Sequence, residues 1–205
     1  MSDYTIIVIN REFGCGAREI ARNLTSDLGI HFYDKELIDL AAEKAGVNQS
    51  IIQRVDESVG GRHIGTLFRD FGYGSTTSFF SDKAIEAQAD VIREIAARKK
   101  TCVIFGRCAD YYLREYSNVV AFFLYAPMSY RIRHISESNG LTYDEAEKLI
   151  KRVDRQKHDY YKYITGKNRG DRFDKHMMID VAKFGVEGSV TMMKDALDYL
   201  QKTKS

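Results

Sequence analysis

Five short apolar runs mark the chain: Tyr4–Ile9, His31–Tyr33, Thr101–Phe105, Val119–Leu124 and Met177–Val181. They are continuous rather than alternating, which is the pattern of strands covered on both faces, and stretches of helical period separate them. This order predicts an α/β fold, a doubly wound parallel sheet of about five strands flanked by helices. The last helical stretch carries an apolar stripe at Val186, Val190, Met193, Leu197 and Leu200, enough to cover one face of the sheet.

Local signals place the helix ends. Pro127 stands where a first helical turn begins and Gly140 where that helix stops. Thr142 with Glu145 reads as a capping box ahead of Ala146, Leu149, Ile150 and Val153, predicting a long helix from Thr142 to Tyr163. Another helix is expected over Phe79–Arg98. Two polar stretches, 57–78 and 165–175, are rich in turn-forming residues and read as mobile flaps over the core.

The first run leads directly into Asn10-Arg-Glu-Phe-Gly-Cys-Gly-Ala-Arg18 and then a helix. A glycine-rich turn from a buried strand to a helix aims backbone N–H groups and the positive helix end at an anion. The common phosphate loop reads G-x-x-x-x-G-K-[ST], with lysine on the outer phosphates and the hydroxyl on Mg²⁺. Here those fixed positions are Arg11, Gly16, Ala17 and Arg18, so the lysine and the hydroxyl are both missing. Arg11, Gly14, Cys15, Gly16, Ala17 and Arg18 are the expected contacts to ATP phosphates. Arg18 or Arg11 supplies the charge that lysine would have given, through two parallel donors. Mg²⁺ is then expected to be held by ATP, water and a carboxylate.

Composition narrows the field. With 205 residues, 44% hydrophobic and 29% charged, the chain is expected to form a single globular domain over 1–205. No apolar stretch approaches membrane-spanning length, and a formal charge of +2 argues against nucleic-acid or membrane partners. The sequence enters its first strand without a secretory leader pattern, so cytoplasmic residence is expected. Cys15, Cys102 and Cys108 form no C-x-x-C pair and the five histidines show no metal spacing. Cys15 alone, at a helix start, is open to a lowered pKa.

Three segments, Ile9–Glu19, Phe32–Ile38 and Phe105–Tyr111, together with Asp154–Gly166 and Gly185–Gly188, resemble the cytidylate kinase-like proteins, a branch of the P-loop nucleoside monophosphate kinases. The resemblance covers nearly the whole chain. It implies a P-loop fold with an acceptor-side helical insertion at 35–98 and a lid at 142–175. It implies ATP-dependent phosphoryl transfer to a nucleoside monophosphate such as CMP, with ATP and Mg²⁺, and small-molecule nucleotides as partners. Ordinary cytidylate kinases carry the loop lysine that this chain lacks.

Other candidates follow from position. Arg107 lies just past the third apolar run, at the carboxyl end of a parallel strand where open sheets bind ligands, and by resemblance it contacts the acceptor phosphate. Asp110, one turn on, orients Arg107 or caps the turn. Asp34 has two open roles, the N-cap of the next helix or contact with the acceptor and a metal's water shell. Gln88 is a candidate amide for reading a base. Arg131 and Arg133 begin one helix, and Arg152 and Arg155 lie on the long one. Arg131, Arg152 and Arg155, with Arg18, are the expected catalytic cations, since transfer spreads negative charge over the moving group. Asp154 holds one of these arginines in place. Two rivals stay open: a regulatory nucleotide-binding or anion-binding protein that has lost turnover, and a kinase of another small metabolite.

Overall fold

A computed structural model of the protein describes residues 4–46 and 75–203. Five parallel strands form one sheet: β1 (Ile6–Arg11), β2 (His31–Tyr33), β3 (Cys102–Phe105), β4 (Val119–Tyr125) and β5 (Met177–Asp180), in the spatial order β2-β3-β1-β4-β5. All five expected runs are strands. β1 extends two residues past its apolar run, to Arg11, because its ladder with β4 continues through Arg11 opposite Leu124.

Strand side chains alternate between two layers. Ile6, Val8, Cys102 and Ile104 face α2 (Glu36–Ala45) and α3 (Ser75–Ala97), meeting Leu37, Ala41, Val91, Ile92 and Ile95. Ile7, Ile9, Val103, Phe105, Phe122 and Leu124 face α1 (Ala17–Leu28) and the C-terminal helix α7 (Val181–Lys202), meeting Ile20, Leu24, Val190 and Met193. Apolar residues on both strand faces are what two helical layers require. A short α4 (Ala109–Tyr112) follows β3.

A third cluster lies between α5 (Met128–Asn139) and α6 (Tyr143–Thr165), where Ile135, Ala146, Leu149, Ile150 and Val153 pack with Phe13 from the β1–α1 turn. Pro127 is the N-cap of α5 and Gly140 ends it in a left-handed conformation. Both halves of the Thr142–Glu145 capping box are formed. Residues 57–74, the greater part of the first expected flap, lie outside the described residues. Its last four residues, 75–78, are the start of α3 rather than a mobile stretch. The apolar stripe of α7 is packed as expected, with a break at Gly185 (φ 67°, ψ −177°) near its start.

Candidate active site

The turn 12–16 joins the middle strand to α1. Gly14 and Gly16 have φ of 84° and 85°, the left-handed region that disfavours a side chain, and a Cβ on Gly14 would come within 2.8 Å of Ile135. Gly16 is the N-cap of α1 and has no side chain of its own to cap the first turn, so the positive end of the helix dipole opens onto the 12–16 turn. The turn is fastened from outside. Glu12 N–H donates to Leu124 O at 2.9 Å, Ala126 N–H donates to Glu12 Oε2 at 3.2 Å, and His134 Nδ1 lies 2.8 Å from Gly14 O.

Cys15 is 1% exposed, and burial pushes its thiol up to about 11. The lowered pKa open to it in the sequence is therefore corrected. The apolar surroundings outweigh both the Ala17 N–H and the nearby arginines. Ala17, at the place of the common lysine, is 4% exposed and belongs to the core beneath α1.

Arginines gather at the carboxyl edge of β1 and β3. The Arg11 guanidinium stands 4.0 Å from the centre of the Phe105 ring, and that of Arg18 stands 5.7 Å from it. Arg18 Nε donates to Asp34 Oδ2 at 2.8 Å. Arg107 joins them from a run of three left-handed residues, Gly106, Arg107 and Cys108. A Cβ on Gly106 would meet the Arg11 guanidinium and push that flexible side chain aside, while the positive φ is what calls for glycine there. Burial, then repulsion from Arg11, pushes Arg107 down to about 9, with Asp34 acting against them and Arg18 adding to the repulsion. Arg11 and Arg18 thus both repel the buried Arg107 while Asp34 attracts it, and an arriving oxyanion would relieve that repulsion.

Other candidates fall elsewhere. Asp34 is not the N-cap of α2: Lys35 holds that position and makes no side-chain cap, because the Asp34 carboxylate is drawn to Arg18. Asp110 is not placed to orient Arg107 or meet an acceptor. Its carboxylate is 2% exposed and pairs with Lys175 Nζ, while Tyr161 Oη donates to it at 3.0 Å. Arg131 is no mobile cation of a closing lid. It is 6% exposed, its Nη1 donates to Phe13 O at 3.2 Å and to Asp154, and its Nε lies 3.4 Å from Glu12 Oε2. Asp154 does hold one of the expected arginines, Arg131, and Arg169 from the loop after α6 joins it. Arg152 is partly buried on α6 and Arg155 is exposed there. Gln88 is 2% exposed, and neither amide atom has a hydrogen-bond partner among the described residues.

Sequence reasoning missed Arg169 and Lys175, both in the polar stretch after α6. Lys175 has a fully buried side chain and Arg169 an 11% exposed one. Nothing in a loop of mixed charge signals that two of its cations turn inward. A cleft of about 360 Å³ opens beside Arg169, lined also by Glu12, Phe123, Tyr125, Asp154 and His158 among others. Among the described residues no three His, Cys, Asp or Glu side chains converge as a metal cage. No described helix is long and apolar enough to cross a membrane.

The fold and the loop have known counterparts. The cytidylate kinase of Thermococcus kodakarensis is 26% identical over 163 residues, 74% of this chain and 82% of that protein. That of Saccharolobus islandicus is 25% identical over 88% of this chain and 78% of its own. An uncharacterized protein from Eubacterium ventriosum superposes with a TM-score of 0.73 at 23% identity, covering 96% of this chain and 99% of that one. A gluconokinase from Sinorhizobium meliloti superposes at 0.57 with 12% identity, over 98% of each chain, so the likeness is one of fold. The family model described as the cytidylate kinase-like family matches residues 6–183, a span holding the loop, the arginine cluster and the Asp154 contacts, and the chain belongs to that family of kinase-like phosphotransferases.

Proposed function

We propose that the protein transfers the γ-phosphoryl group of ATP to a nucleoside monophosphate, with CMP the leading acceptor. The observation that carries this reading is the gathering of Arg11 and Arg18 at the Phe105 ring with Arg107 close enough to feel both of them, and Asp34 paired with Arg18 and acting on Arg107. It stands at the strand ends where open α/β sheets receive ligands, beside a helix N-terminus without a side-chain cap. The cytidylate kinases similar to this chain supply the acceptor class.

In this reading the N–H groups of the 12–16 turn and α1 hold the donor phosphates, and Arg18 takes over the lysine's charge. Arg107 holds the acceptor phosphate. A monophosphate oxygen is already a nucleophile, so positioning and charge compensation do the catalysis rather than a strong base. Arg131 fixes the turn, and Arg152 and Arg155 are the remaining cations for the transferring group. Mg²⁺ enters with the nucleotide, and Asp34 is the carboxylate available to its water shell, which suits an ion that keeps its waters and binds mainly through phosphates.

Burial of Ala17 favours a second reading, nucleotide binding without turnover. ADP formation from Mg·ATP separates the two when measured against nucleoside monophosphates and small hydroxy acids, with Arg107→Ala as control. The kinase reading expects acceptor-dependent ADP, greatest with CMP and weakened by Arg107→Ala. Saturable ATP binding with no acceptor-dependent ADP from any of these compounds rejects it.

A further inference from the structure

Asp154, midway along α6, does not behave as a helix-surface acid. Its Oδ1 accepts the Phe13 N–H at 3.0 Å and Arg169 Nη2 at 3.0 Å, and its Oδ2 pairs with Arg131 Nη1. The three donors come from three elements: the β1–α1 turn, the loop after α6, and α5. The two guanidiniums are the more buried partners, 7% and 11% exposed against 22% for Asp154.

A backbone N–H of a phosphate loop flanked by two arginines is a donor set for a tetrahedral oxyanion. A planar carboxylate fills it incompletely, with two oxygens for three donors, and Glu12 adds only a longer ion pair to Arg131. Arg131 Nε has no hydrogen-bonded partner, although it lies 3.4 Å from Glu12 Oε2. The cleft lined by Glu12, Asp154 and Arg169 opens onto the Asp154 carboxylate and onto one of its donors, Arg169.

We propose that Asp154 is a built-in stand-in for a phosphoryl group, occupying an oxyanion site formed by Phe13 N–H, Arg131 and Arg169, and that phosphoryl oxygens of a bound polyphosphate displace it. This rests on the reading that the β1–α1 turn binds phosphate, and adds to it that the chain competes with its own ligand. Binding then does more than fill a pocket. It releases α6 and the Arg169 loop from the turn, so the segment carrying Arg152 and Arg155 becomes free to move when a polyphosphate arrives.

The test is calorimetric binding of inorganic pyrophosphate and of ATP to the full chain and to Asp154→Asn and Asp154→Ala. Asparagine keeps the shape and one acceptor for the Phe13 N–H while removing the competing charge. Both variants are expected to bind pyrophosphate about tenfold more tightly, the scale of one charge-assisted hydrogen bond. A purely structural Asp154 predicts weaker binding instead. Unchanged or weaker binding by the variants, with saturable binding by the parent, overturns the proposal and leaves the phosphate-loop reading standing. Absence of binding by parent and variants alike overturns both. Should either variant unfold, the parent chain decides: pyrophosphate must shift the Asp154 carboxyl ¹³C resonance saturably, and a resonance that stays fixed under saturating pyrophosphate overturns the displacement.

Discussion

The Arg18 guanidinium and the Asp34 carboxylate meet at 2.8 Å, tying the first turn of α1 to the end of β2. The contact fixes the one exposed arginine of the loop in place. In the proposed reading that guanidinium takes over the missing lysine's charge, so Arg18→Ala is expected to lower kcat about a hundredfold, the usual loss of one transition-state cation or donor. KM for the acceptor should change little. Steady-state kinetics with ATP and CMP varied in turn give both numbers, and an Arg18→Ala enzyme with parental kcat removes Arg18 from the mechanism.

Gly106→Ala tests the arginine cluster through the backbone. Its φ is 77° and the new methyl would strike the Arg11 guanidinium, so both strain and displacement follow. A stability loss of about 1–3 kcal/mol is expected from the backbone alone. Urea unfolding measures that loss, and calorimetry should show weakened nucleotide binding as Arg11 is pushed from Phe105.

Gln88 offers a cleaner separation of fold from recognition. A buried amide with neither atom bonded costs about 1–3 kcal/mol. Gln88→Leu should therefore raise the thermal midpoint while raising KM for the acceptor. A stabilised variant with unchanged KM would mean the amide reads nothing.

Arg131→Met leaves Glu12 and Asp154 without their main cation. Breaking a buried pair from one side costs about 3–5 kcal/mol, and partial exposure of the two acids puts this case at the lower end, about 3 kcal/mol. Urea midpoints of Arg131→Met and Arg155→Met should differ sharply, since Arg155 is exposed.

The buried thiols set an alkaline limit. Cys15 and Cys102 are both pushed up to about 11 by burial, from an ordinary value of 9.0. The folded chain therefore holds these protons more tightly than the unfolded chain. The stability this brings is complete below pH 9 and is lost as pH rises from 9 to 11, about 2 kcal/mol for Cys15. Urea midpoints across that range should fall, and Cys15→Ala should flatten the slope.

The strands and layers are legible in the sequence because a parallel sheet between helices needs apolar residues on both faces, as Ile6, Ile7, Val8 and Ile9 supply. The capping box is legible because Thr142 and Glu145 act within one helical turn. The wiring of the site is less so. Arg131 and Arg152 are alike as helix cations in sequence, and only the packing of Phe13 between α5 and α6 makes one of them a clasp on the loop. Asp110 and Lys175 find each other across 65 residues, a distance over which no local pattern operates.

Ala17 gives the missing lysine a different meaning. Its methyl is packed among core side chains, so Ala17→Lys would not simply restore the common loop: the new ammonium would have to find a way out of the core, and Arg18 would still occupy the place of the hydroxyl residue. The way back is closed to single steps, each of which costs stability before it returns a ligand. With residue 17 committed to the core, any cation of this loop that meets a phosphate has to come from another position, and Arg18 is the exposed one beside it.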